Sequence, residues 1–494
     1  MVAVALLSAS CADPEVPIAA SSGPDALVTV TPTPAGATPT PTVTPTPSPT
    51  PELGATPAPT PRPNPQPGLD ADSIRIAVVA DVETGGTADG IFRDTWTAMN
   101  AWALAVNSAG GLGGREVKLV TLDTSLFNHR SVLDVVCRGD YFAIVGGQSL
   151  GDYDGAELLG TEDCNLADFP SDVHGARRAA SPVTFVPNPI LNDVRQSGPV
   201  RYLGERFAPG EDDDAESSAQ NVAVVWFDEL QLRNETERLR EMMVGQGLNV
   251  VSIDTDLEEG PSERVLTRFE EFEANALVWN ADPERLIDLL AAMDDNDIEP
   301  SWVLCELACY SQEFLTEGGR VVEGVYTWIP HAPFDALSAS SELIEYRFWL
   351  SRFSDDAGWS EVGLQAWSAG RLFEEAFNAM LEVEPEAPTR EQLIASARTV
   401  TSFTADGVLP ITNPGGGVPT PCFALMVVRN GRWEQEFPLP PRDLDCSDDN
   451  LYELVATRGL GLEDPVATSS INSDQVEDAD DTVDLDNPEE PPEE

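Results

Sequence analysis

Seven cysteines and three histidines carry most of the chemical reactivity that this 494-residue chain offers. Six of the cysteines fall into near pairs, Cys137 with Cys164, Cys305 with Cys309 and Cys422 with Cys446, while Cys11 stands alone. No pair has the two-residue spacing of a zinc site, and His129, His174 and His331 do not accompany any pair as co-ligands. Three disulfides formed in an oxidising compartment are therefore expected, with buried free thiols as the alternative. There is no Gly-x-x-x-x-Gly-Lys loop to cradle a phosphate and no Gly-x-Ser-x-Gly elbow to present a nucleophile. His174 lies two residues after Asp172, yet it reads as a surface residue rather than a base. The chain is thus expected to carry out no catalysis and to need no cofactor.

Charge narrows the partners further. The sequence holds 28 Lys and Arg against 85 Asp and Glu, a formal charge of -57, and Lys118 is its one lysine. A nucleic acid backbone would be repelled by most of such a surface, so no nucleic-acid binding is expected. Residues 2–10, VAVALLSAS, form a short apolar run that ends in small residues before Cys11. This resembles a bacterial lipoprotein signal with its lipid-bearing cysteine, although the lack of a basic n-region leaves an ordinary secretion signal open. The signal-like segment would take residues 1–11 and place the protein outside the cytoplasmic membrane, touching it only through the lipid. Residues 12–72 are rich in Pro and Thr and are expected to form a disordered stalk, and residues 463–494 an acidic, disordered tail without Lys or Arg.

Between these tails, apolar runs alternate with amphipathic stretches. Strands are predicted at 74–79, 116–122, 142–145, 222–227, 250–254, 276–279, 302–304 and 324–328. Helices are predicted at 91–108, 130–138, 190–206, 230–246, 262–272, 283–294, 341–352, 361–381 and 390–398. The alternation argues for an α/β protein whose parallel sheets are flanked by helical crossovers, in two βαβ blocks that meet near Pro189.

The ordered series IRIAVVADVETGG, AMNAWALAVNSAGGLGGREVKLVTLDT and FAIVGGQS resembles the leucine/isoleucine/valine-binding type of periplasmic solute receptor, a type I periplasmic binding protein. Asn107, Gly110, Gly111, Gly114, Arg115 and Asp123 carry the match, and the resemblance extends over about residues 73–445. It implies two similar α/β lobes joined by three crossovers, with solute held between them. The first lobe would take residues 73–188 and 330–400, and the second 189–329 and 401–446. It also implies a solute-binding component of an ABC importer, a lipoprotein that captures an amino acid or related carboxylate and passes it to permease subunits.

Ligands in open α/β sheets sit beyond the carboxyl ends of the strands, so the candidate site residues are sought there. In the family, the loop holding Gln148 and Ser149 would offer a hydroxyl and backbone N–H groups to a carboxylate. Asp172 lies where the family places a small residue and a threonine, and it suits a cationic group instead. Asp228 follows the strand at 222–227, and Glu306 stands near the family's acid for the solute ammonium. Trp328 would be either a wall of the cleft or a core residue. A surface sensor or adhesin head on the same fold remains the alternative function.

Overall fold

Buried apolar runs and one-sided helices define the sheets and their covers. The computed structural model describes residues 66–82, 90–126, 128–189, 193–208, 220–227, 230–255, 262–306, 308–335, 340–354, 357–385 and 388–460. The signal-like segment with Cys11, Asp228 and the tail at 463–494 lie outside the described residues.

In chain order the first elements are β1 (Ser73–Ala80), α1 (Arg93–Ser108), β2 (Glu116–Asp123), α2 (His129–Arg138), β3 (Ala143–Val145), α3 (Ala156–Leu159), β4 (Ala167–Phe169) and α4 (Ala176–Ala179). Strands β1 to β4 make a parallel sheet in the order β2-β1-β3-β4. Strand β1 is buried along nearly its whole length, as a central strand covered on both faces must be. Helix α1 buries Ala98, Met99, Trp102, Ala105 and Val106, spaced as one helical stripe. The turn after it explains the Asn-x-x-Gly-Gly pattern. The side chain of Asn107 donates to the Val117 carbonyl at 2.9 Å and accepts from the Val117 N–H at 2.8 Å, closing helix onto strand. Gly111 has φ +77°, and a Cβ there would lie 2.0 Å from the Arg115 carbonyl oxygen.

The chain then crosses to the second lobe through β5 (Val194–Gln196) and α5 (Gly198–Arg206). It continues with β6 (Asn221–Phe227), α6 (Leu230–Gly245), β7 (Asn249–Thr255), α7 (Ser262–Glu271), β8 (Ala276–Asn280), α8 (Pro283–Asp295), β9 (Trp302–Cys305), α9 (Gln312–Gly318) and β10 (Val325–Ile329). Helices α10 (Ser341–Phe353), α11 (Glu361–Val383) and α12 (Arg390–Ala397) follow; α10 and α11 pack on α1, and α12 packs on α11. A third passage leads to β11 (Ala424–Arg429) and β12 (Arg432–Phe437), which complete a seven-stranded sheet in the order β12-β11-β10-β9-β8-β6-β7. Its first five strands in sequence run parallel, whereas β11 and β12 join antiparallel at one edge. The last strand, β13 (Leu451–Glu453), pairs antiparallel with β5. The result is a two-lobed α/β fold with largely parallel central sheets and flanking helices.

Three departures from the sequence expectation bear on where the lobes begin, cross and end. Residues 190–206 are not one helix: β5 is extended because it has β13 as a ladder partner, and the helix begins after Ser197 with Pro199 in its first turn. Residues 66–72, read as the end of the stalk, are folded onto the first lobe. Leu69 is buried there, Arg115 Nε donates to the Asp70 carbonyl at 3.1 Å, and Gly68, at φ +73°, approaches Phe142 too closely to admit a side chain. The ordered chain also continues past 446, where both carboxylate oxygens of Glu241 accept backbone N–H groups from residues 455–457.

Disulfides join Cys137 to Cys164, Cys305 to Cys309 and Cys422 to Cys446. Among the described residues no helix is long and apolar enough to cross a membrane.

Candidate functional site

The carboxyl ends of β3, β4, β8, β9 and β10 open onto one cavity between the lobes, with a volume of about 180 Å³. Such a space suits a small solute, since a cavity of about 150 Å³ takes a benzene-sized guest. Gln148 after β3, Asp172 and His174 after β4, Asn280 at the end of β8, Glu306 after β9 and Trp328 near the end of β10 all line it. The crossovers add Asn188, Arg195 and His331, helix α6 adds Glu235, and the first turn of α11 adds Glu361.

Two buried networks hold the first-lobe wall. Arg178 on α4 grips Asp168 through Nε at 2.9 Å and Nη2 at 2.8 Å, and its Nη1 reaches Asp152 at 3.4 Å. Asp152 in turn accepts the His174 N–H at 3.1 Å, so this ion cluster sets the position of the loop that carries Asp172 and His174. Gln148 is buried; its Nε2 donates to His174 Nε2 at 3.2 Å and its Oε1 accepts from Ser171 Oγ at 3.2 Å. The His174 ring stacks on Phe92 with centroids 5.6 Å apart. Burial, with the charges of Arg178 and Arg195, pushes His174 down to about 4, so it is a neutral hydrogen-bonding ring at physiological pH.

Ser149 has a different place from the one the resemblance implies. Its Oγ donates to Asp81 Oδ1 at 3.1 Å and meets Thr124 Oγ1 at 3.0 Å, inside a network that also uses the N–H groups of Leu126 and Leu150. Ser149 is fully buried and does not line the cavity. The hydroxyl is consumed by Asp81, a buried carboxylate at the end of β1 that needs several donors to remain satisfied.

On the second-lobe side, Glu306 Oε2 accepts from Trp328 Nε1 at 3.1 Å, which makes Trp328 a cleft wall. Its backbone N–H donates to the Trp279 carbonyl at 2.9 Å, and the Cys305–Cys309 disulfide brackets it. Burial raises the pKa of Glu306, against the opposing effects of Trp328 and Arg195. Asp172 is pushed up to about 6 by burial, despite the Val173 N–H and Arg195. Glu361 rises to about 8 through burial and then through the negative charges of Asp172 and Glu306. The three carboxylates therefore share one electrostatic site with Arg195, whose Nη1 donates to Glu235 Oε2 at 2.6 Å.

Arg195, Glu235, Glu361 and His331 were not singled out by sequence. Arg195 lay inside a stretch read as helix, although the Ser197-Gly198-Pro199 start signal could have placed it before the helix. Glu361 is one of 85 acids, and nothing in its local pattern marks it.

With this geometry established, the family model described as periplasmic binding protein matches residues 73–432. The chain belongs to the periplasmic binding protein family. Solved structures with a similar fold include the substrate-binding protein of a fatty acid ABC transporter from Thermomonospora curvata, 15% identical with a TM-score of 0.66 over 80% of this chain and 98% of that one. The branched-chain amino acid transporter substrate-binding protein LivJ from Streptococcus pneumoniae, in complex with isoleucine, is 12% identical with a TM-score of 0.59 over 74% and 98%. A substrate-binding protein of an ABC transporter from Aeropyrum pernix is 15% identical with a TM-score of 0.60 over 74% and 95%. No curated protein matches the sequence. At these identities the family's shared fold is common ground, and the solute must be argued from this chain's own cleft.

Proposed function

We propose that this periplasmic binding protein is the extracytoplasmic solute receptor of an ABC importer, capturing a small polar solute between its lobes and presenting it to permease subunits. The observation that carries the reading is the cavity itself: polar side chains from the strand ends of both lobes and from the crossovers converge on one cleft. A hinge closure about those crossovers would exclude water and strengthen each polar contact. Arg195 suits a carboxylate on the solute, and Asp172 and Glu306 suit an ammonium, which together favour an amino acid or a related carboxylate. A lipid on Cys11 would hold the protein to the outer face of the cytoplasmic membrane, with residues 12–65 as the spacer.

The test is a thermal-shift screen of the purified protein against amino acids, amides, short peptides, nucleosides and sugars. A true solute raises the melting temperature by mass action, by about 2.7 kcal/mol of stability at one hundred times its Kd. It should also compact the protein in X-ray scattering. A chain that responds to none of these classes, and does not compact in cell extract, is no importer receptor and would fit the sensor or adhesin reading.

A further inference from the structure

Resting on that receptor reading, we infer that the solute is a small molecule bearing two cationic groups, a basic amino acid or a diamine, gripped between Asp172, Glu306 and Glu361. Among the described residues, the cavity lining carries four carboxylates, Asp172, Glu235, Glu306 and Glu361, against a single guanidinium, Arg195. Glu235 already pairs with Arg195, so a neutral zwitterion would offer the other three acids one ammonium together with a carboxylate of their own sign, leaving them short of positive charge once closure removes water. Two cationic groups on the guest supply that charge.

The uncharged groups point the same way. His331 is 1% exposed and lines the cavity; its Nδ1 donates to the Ala332 carbonyl at 2.9 Å, which leaves Nε2 as a bare acceptor. That Nε2 is buried with no hydrogen-bond partner, as is Oδ1 of Asn188, another lining residue. Both atoms call for a donor, and an ammonium or guanidinium offers several while a carboxylate offers none. An apolar aliphatic guest would leave them unmatched, at the cost that buried polar groups without partners always carry.

A smaller cavity of about 80 Å³ adjoins the first, since Ala308 and Val362 line both. Among the described residues, its walls hold Asp94, Asp282, Glu284, Glu313 and Glu317 with Arg93 as the cation. A cleft whose rim and interior share one sign of charge concentrates solutes of the other sign.

The experiment uses the full-length protein in calorimetry and melting at 0.15 M salt, with L-lysine, L-arginine and putrescine as cationic probes and L-leucine, L-glutamate and benzoate as the others. At least one cationic probe should bind, more tightly than all three others. Glu361→Gln and Glu306→Gln should each weaken it on the order of tenfold or more, with the melting temperature of the free protein unchanged or raised because repulsion is relieved. Binding by L-lysine or L-arginine alone identifies an amino acid, and binding by putrescine a diamine; both support the inference. Tighter binding of L-leucine, L-glutamate or benzoate overturns the doubly cationic guest and leaves the receptor reading standing. Cation binding that neither substitution alters overturns the placement. Silence from all six also overturns the doubly cationic guest, and the wider solute screen then decides the receptor reading separately.

Discussion

Arg195 Nη1 meets Glu235 Oε2 at 2.6 Å, and this contact ties the first crossover strand to helix α6 at the edge of the solute cavity. Neither side chain is deeply sealed, at 20% and 12% exposed, so the pair can still exchange partners with a guest. Glu235 is also bonded by Arg238, which leaves it paired if Arg195 is lost. Under the proposed receptor reading, Arg195 would serve a ligand carboxylate more than stability.

Replacing Arg195 with Gln should cost an amino acid solute about 2 kcal/mol of binding, the usual loss when one member of a desolvated charge pair is removed. Global stability should change little, because Glu235 keeps its other partner. A diamine has no carboxylate to lose, so calorimetry with putrescine should show unchanged or tighter binding. An equal loss for L-lysine and putrescine would contradict this role.

The cleft acids should make the free protein less stable as pH rises. Glu361 moves from 4.5 to about 8 on folding and Asp172 from 3.8 to about 6, so both hold protons in the folded state over a range where the unfolded chain has released them. Their stabilising contribution is complete below the unfolded values and is lost as pH climbs through the folded ones. The groups facing Glu361 are Asp172 and Glu306, both acids, and neither offsets the effect. His129, His174 and His331 act oppositely at the acid end: each is lowered from 6.5 to about 4, so their contribution is lost as pH falls across that interval. Melting curves of the wild type and Glu361→Gln should diverge between pH 4.5 and 8, the variant holding its melting temperature better. Parallel curves would show that Glu361 does not titrate in this window.

Among the disulfides, the one closing the longer span should matter more for folding and the shorter one more for binding. Cys137–Cys164 spans 27 residues and Cys305–Cys309 only 4. Loop-closure entropy then gives about 3.5 kcal/mol for the first and about 2 kcal/mol for the second. Removing Cys305–Cys309, however, frees the segment that presents Glu306 and Ala308 to the cavity. Denaturant midpoints and solute affinity measured on the two double-alanine variants should rank them in opposite orders. Peptide mapping under non-reducing conditions checks the pairing itself.

A chain beginning at Gln66 and ending at Leu460 should melt as cooperatively as the full-length protein. One beginning at Ser73 should be destabilised by roughly 2 kcal/mol, because it loses the buried Leu69 side chain and the bond from Gly68 N–H to Asp140. Identical melting of the two shortened chains would show that the contacts of residues 66–72 contribute nothing.

Much of the scaffold was legible without coordinates because it is written in short-range patterns. The stripe on α1, the glycine turn behind Asn107 and the apolar runs of β1, β6 and β8 all declare themselves within a window of about twenty residues, where backbone periodicity and side-chain burial agree. The site is another matter. Arg195, Glu306 and Glu361 are each more than 50 residues from the next, and only the folding of two sheets toward one another brings their charges into a common field. Ser149 shows the converse, a hydroxyl whose family-like position was readable but whose partner, the buried Asp81, was not. The extended form of Val194–Gln196 likewise depends on Leu451–Glu453, a partner strand about 255 residues away. Local periodicity specifies which elements form, whereas charge pairing and ladder partners depend on distance in space, and that is decided only by tertiary structure.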